Sequence, residues 1–138
     1  MNFYVDSSVI LRVLRGQKDA WKAWGQWKKA YSSMLLRVEC RRFVDRMRLE
    51  HDWNEDDIAN AGVQLRRLER VITRVRLSAA VVERAAAPMP TIVKTLDAIH
   101  IATAGLIRER LEPNLIFVTH DGQQARAARA LGFDCVGA

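Results

Sequence analysis

The segment Leu96-Asp-Ala-Ile-His-Ile-Ala-Thr-Ala104, running on to Ile107, constrains the fold more than any other. Its periodicity predicts a helix over residues 95–111 that is apolar almost all round, and such a helix must be buried. One acid, Asp97, sits inside it. A buried, unpaired carboxylate is strongly unfavourable, so Asp97 requires a cation, a proton or strong donors. His100, nearly one turn on, is one candidate partner, and a bound metal meets the same need.

Around this helix, strands and helices alternate. Residues 2–6 are an apolar run ending in Asp6, followed by Ser7 and Ser8 as a cap for a helix through Val9, Ile10, Val13 and Leu14 that stops at Gly16. Trp21, Trp24 and Trp27, at spacing three, predict a second helix over residues 18–29. A short strand at 31–34 precedes a basic amphipathic helix over 35–50, with Val38, Phe43, Val44 and Met47 facing inward. Asn54 caps the next helix, with Glu55, Asp56 and Asp57 in its first turn. A strand at 74–77 and a helix capped by Ser78 follow, and then Pro88 and Pro90 break the chain. After the apolar helix come a core strand at 115–119, an alanine-rich helix over 121–131 closed by Gly132, and a last strand at 134–136.

This alternation argues for an α/β fold, a parallel sheet with helices on both faces. The 138 residues suit a single domain, with no linker, repeat or low-complexity tract. No apolar run is long enough to span a membrane, and the chain opens on a core strand in place of a signal peptide. Cys40 and Cys135 form no CxxC, which fits free thiols in a reduced, cytoplasmic protein.

In parallel sheets, ligands bind beyond the carboxyl ends of the strands. Asp6 closes the first strand and Asp121 lies two residues past Thr119, the end of the fourth. Each acid also has an ordinary explanation. Asp6 and Asp121 are placed to form turns or cap helices, and Glu39 is spaced to pair with Arg42 on the helix surface. Together, however, clustered carboxylates demand raised pKa values or counter-cations. Hard divalent cations take such oxygen ligands, whereas no His/Cys cluster suggests zinc. A carboxylate-held metal activates water and stabilises a leaving oxygen at a scissile phosphate.

The charge fits a polyanionic substrate. The chain carries 22 basic and 16 acidic residues, a net charge of +6. Setting four acids in one pocket leaves 12 against 22, or +10 over the rest. That is an acidic hole in a basic surface: the surface attracts a phosphate backbone, and the hole repels it unless cations fill the hole.

These residues resemble a known family over nearly the whole chain. Tyr4-Val-Asp-Ser-Ser8, Leu35-Leu-Arg-Val-Glu39, Leu96-Asp-Ala-Ile-His-Ile-Ala-Thr-Ala104 and Val118-Thr-His-Asp121 are similar to the four motifs of PIN-domain ribonucleases, above all the VapC-type toxins of toxin–antitoxin pairs. The resemblance implies a three-layer α/β/α fold with a five-stranded parallel sheet, and RNA cleavage with Mg2+ or Mn2+. It also implies a homodimer and a cognate antitoxin that blocks the acidic pocket. In this sequence Asp6 and Asp97 would be direct metal ligands, Glu39 would bind directly or through water, and Asp121 would complete the catalytic set. Ser7 and Thr119 would position water or phosphate. The tryptophan-rich segment departs from the commonest pattern of the family.

Three alternatives compete. One is an RNA-processing PIN nuclease without an antitoxin, and another is a catalytically silent RNA- or protein-binding module. A phospho-accepting receiver domain ranks lowest, because residues 74–77 offer no acceptor Asp and residues 119–121 no Lys. The tryptophan stripe reads as packing or a protein interface before RNA stacking. Arg37, Arg41, Arg42, Arg46 and Arg48 line either a substrate path or a solvated face, and His120 reads as a solvent-facing loop residue.

Overall fold

The computed structural model describes residues 1–138. Five strands and six helices alternate: β1 (Asn2–Val5), α1 (Ser7–Leu14), β2 (Lys29–Ser33), α2 (Leu35–Leu49), α3 (Glu55–Val71), β3 (Ile72–Val75), α4 (Ala79–Ala86), α5 (Thr95–Arg110), β4 (Ile116–Val118), α6 (Gly122–Ala130) and β5 (Asp134–Val136). The strands form one sheet in the order β3-β2-β1-β4-β5, and every pairing is parallel. The chain winds outward from β1 in one direction and then starts again at β4 in the other. The β1/β4 boundary is therefore the topological switch point, where a crevice opens at the carboxyl edge.

Side chains alternate across each strand, so β1 feeds two cores. Phe3 and Val5 face α1, α2 and α3, packing on Val9, Ile10, Leu36, Cys40 and Leu65. Tyr4 faces the other layer with Phe117, Ile101, Ala104, Ile107 and Ala128, from β4, α5 and α6. Helix α4 covers the outer side of α5 through Val81, Ala102 and Leu106. Sandwiched between sheet and α4, α5 is apolar all round because both of its sides are covered. No helix is long and apolar enough to cross a membrane.

The structure corrects several expectations. Residues 18–28 form turns, not a helix, with Gly25 at φ +81° in their midst. The tryptophans pack on one another instead of along a helical face. Trp21 and Trp27 stack with centroids 6.4 Å apart, Trp24 meets Trp27 edge-on at 5.0 Å, and Trp21 meets Phe3 at 4.9 Å. On α2 the buried face is Leu36, Cys40, Phe43 and Met47, while Val38 is 58% exposed. Ile72 leaves α3 and opens β3 directly. The cap of α1 is Asp6, not a serine. Asn54 caps α3 as expected, in a reciprocal box with Asp57. Cys40 and Cys135 are free, and burial drives the Cys40 thiol up to about 12.

Candidate active site

Helix starts at the carboxyl edge of the sheet bring the four acids toward the switch point. Asp6 leaves β1 and caps α1, Asp121 follows β4 and caps α6, and Asp97 lies in the first turn of α5. Glu39 stands in the first half of α2. Three of the four thus sit at helix N-termini, where the helix dipole favours negative charge.

Asp6 is the deepest acid, 2% exposed. Its Oδ2 accepts from Ser8 Oγ at 2.7 Å, Ser8 N at 3.3 Å and Thr119 Oγ1 at 3.0 Å. With the Gln124 amide nitrogen turned toward the acid, as the surrounding acceptors require, it donates to Asp6 Oδ2 at 2.8 Å and to Thr119 Oγ1 at 3.0 Å. Thr119 also accepts from Asp121 N at 3.0 Å. Fully buried, Thr119 lies behind the acids and orients them, where the sequence reading set it beside substrate.

Glu39 is not paired with Arg42, which turns to Asp45 at 3.2 Å. One Glu39 oxygen accepts from Ser7 Oγ at 2.9 Å, so Ser7 also orients an acid. The other lies 2.6 Å from His100 Nε2. His100 is wholly buried; its Nδ1 shares a 2.7 Å hydrogen bond with the Tyr4 hydroxyl, and its Nε2 stands 3.8 Å from Asp6. Burial alone would lower its pKa, but the hydrogen bond to Glu39 and the charge of Asp6 outweigh burial and raise it. His100 therefore hydrogen-bonds Glu39 and not Asp97, on which it acts only electrostatically.

Asp97 is only partly buried, and its carboxylate takes no hydrogen bond from the protein. Desolvation, followed by repulsion from Asp6 and Asp121, raises its pKa to about 6, against a smaller opposing pull from His100. Three acids, Asp6, Asp121 and Glu39, act on it, so the structure does bring the four together electrostatically. No three of them converge as a finished metal-ligand set, and Glu39 and Asp6 spend oxygens on internal donors. The donor chemistry nevertheless suits a hard divalent cation, with carboxylate oxygens and an excess of acids over bases among the site residues.

Sequence reasoning missed Ser8 and Gln124 as members of the site. Gln124 was legible in principle: it shares the buried face of α6 with Ala125, Ala127 and Ala128, and a polar residue on such a face must meet a buried partner. The arginines of α2 are engaged elsewhere. Arg37 and Arg41 reach Glu69, Arg42 and Arg48 reach Asp45, and Arg46 reaches Glu50. His120 Nδ1 donates to the Gly137 carbonyl at 2.6 Å, and its Nε2 is screened from solvent.

The model of the PIN domain family matches residues 3–130. The chain belongs to the PIN domain family. PIN domains are generally nucleases. A solved structure described as a toxin-antitoxin complex from Klebsiella pneumoniae is similar in fold. It has a TM-score of 0.60 and 18% sequence identity, over 88% of each chain. No curated protein matches the sequence.

Proposed function

We propose that this PIN domain is a ribonuclease that uses Mg2+ or Mn2+, with Asp6, Glu39, Asp97 and Asp121 as its catalytic acids, and that it is the toxin of a toxin–antitoxin pair. The observation that carries the reading is the gathering of Asp6, Asp97 and Asp121 at helix starts on the carboxyl edge of the sheet, with the Asp97 carboxylate left without a hydrogen-bond donor. Desolvation of Asp97, followed by the charges of Asp6 and Asp121, raises its pKa to about 6, as expected of an acidic cluster adapted to hold a cation. Asp6, Asp97 and Glu39 would hold the ion. When bound, it would supply Lewis-acid stabilisation of charge on the phosphate and lower the pKa of water.

The chain's own groups define the rest. Ser8, Thr119 and Gln124 fix Asp6 in one orientation. Ser7 and His100 hold Glu39, and Tyr4 in turn orients His100. Asp121 uses Oδ1 to cap α6, bonding Gln123 N at 2.9 Å and Gln124 N at 3.3 Å, which fixes its carboxylate at the mouth of the site. A carboxylate there is suited to accept a proton from the attacking water.

An antitoxin partner is supported by the toxin–antitoxin description of the similar structure. A homodimer belongs to the same reading. Exposed Ile92 and Val82 in the apolar hollow between α4 and α5 are suited to a protein contact. The test is cleavage of RNA by the purified protein with Mg2+, with Mn2+ and with chelator. Cleavage should require the ion and disappear in Asp6→Asn. Undiminished cleavage in a folded Asp6→Asn variant would refute the assignment.

A further inference from the structure

A groove of about 490 Å3 opens directly beside the acidic cluster. Ser8 and Asp121 line it at the site, and Arg12, Arg15, Gln17 and Asp19 line it further out. Only one of its eight lining residues is hydrophobic, so it is unlike the apolar grooves that receive protein helices. Its wall is one face of α1 and its cap, since Ser8, Leu11, Arg12 and Arg15 follow the spacing i, i+3, i+4, i+7. The face that begins with an Asp6 donor therefore ends in two guanidinium groups.

Each guanidinium is held in a way that a phosphate can use. Arg15 lies over the Phe43 ring at 4.6 Å, which fixes its position while leaving its in-plane N–H donors unspent. Arg12 donates to Asp19 Oδ2 at 3.0 Å and to the Asp19 carbonyl at 3.4 Å. Asp19 is 70% exposed on a turn, so this pair is weak and exchangeable. It also shows that an anionic oxygen fits beside Arg12 within this groove. The five arginines of α2, by contrast, all pair with acids outside the groove.

Building on the ribonuclease reading, we propose that this groove carries the RNA strand flanking the scissile bond, with Arg12 and Arg15 binding its phosphates and Asp19 occupying Arg12 until RNA displaces it. Arg12 and Arg15 are positioning residues. They offset the repulsion between the polyanion and the acids and set which strand segment enters the site.

The test uses the full chain and a mixed-sequence single-stranded RNA oligonucleotide. Binding is measured in chelator over a series of salt concentrations, and cleavage of cellular RNA is measured with Mn2+. Arg12→Ala should weaken binding about tenfold and flatten the slope of log K against log salt by about 0.7. In cleavage it should raise KM with little change in kcat, and Arg12→Lys should restore the slope. Asp19→Asn should tighten binding about twofold, and Arg46→Ala should match wild type. Unchanged affinity and slope in Arg12→Ala, with wild type cleaving RNA, would overturn the groove assignment alone. The same result together with lost inhibition by a co-expressed antitoxin would assign the groove to the protein partner instead, and also overturns it. A wild-type protein that cleaves no RNA with either ion overturns the ribonuclease reading, and this proposal with it.

Discussion

Replacing Asp97 by Asn removes a charge from the site with almost no change in shape. Burial and the charges of Asp6 and Asp121 raise the folded pKa of Asp97 from 3.8 to about 6. An acid with a raised folded pKa favours folding below its unfolded pKa, and that contribution is lost as pH rises from 3.8 through about 6. Above that window, the ionised carboxylate burdens the metal-free protein. The full shift corresponds to about 3 kcal/mol, but Asp97 is only partly buried, and solvent screening reduces this to about 1.5 kcal/mol. The acid also gains about 0.5 kcal/mol from its place in the first turn of α5, which Asn forfeits.

Asp97→Asn should therefore stabilise the metal-free protein by about 1 kcal/mol at pH 8, which raises Tm by about 3 °C for a chain of this size. At pH 4 most of the difference should vanish, because wild-type Asp97 is then protonated in the folded state. Adding Mg2+ at pH 8 should stabilise wild type more than the variant and narrow the gap. Cleavage should fall by about 100-fold or more. The assay is thermal unfolding in chelator at both pH values, repeated with Mg2+. A variant no more stable than wild type at pH 8, or a gap of equal size at pH 4, would refute the claim that burial and mutual repulsion burden the ionised Asp97.

Two other substitutions probe its support. Gln124→Leu keeps the volume but takes the amide donor from Asp6 and Thr119, and should cost about 2 kcal/mol in urea unfolding. Trp21→Ala removes the ring packed between Phe3 and Trp27 and should cost about 2 kcal/mol while leaving RNA affinity unchanged; weaker RNA binding in that variant would instead give the tryptophans a stacking role.

The sheet and most helices were legible because their signals are local. Apolar runs marked β1 and β4, Asn54 with Asp57 marked the start of α3, and the all-round apolar character of α5 reported its two covered sides. The segment at 18–28 misled for a physical reason. Aromatic residues at spacing three satisfy a helical pattern, but their rings can bury equally well by stacking within a loop, and Gly25 relieves the turn that allows it. On α2, Val38 matched the apolar pattern, yet the face against the core is fixed by Leu36, Cys40 and Phe43.

At the site, the sequence pointed to four acids that the fold brings toward one edge of the sheet, but it singled out Asp97 by the composition of its segment. Asp97 stood out because its neighbours are hydrophobic, which suggested depth. Depth depends on which face of a helix meets the sheet, and Asp97 lies in the first turn of α5 beside Thr95 and Leu96, which are exposed. Asp97 is accordingly part-exposed, while Asp6, which reads as an ordinary helix cap, is buried at the switch point. The donors that make this burial tolerable come from the residue after β4, from α1 and from α6, and the imidazole that faces Glu39 comes from α5. Ser8 apart, which lies two residues from Asp6, no sequence spacing relates these groups to the acids they hold; the parallel winding does. A deep acid held by four internal donors is fixed in place, whereas a shallow acid with none is left with unanswered charge. Asp6 is thus the anchor of the cluster, and Asp97 is the group whose charge state should respond most strongly to a cation.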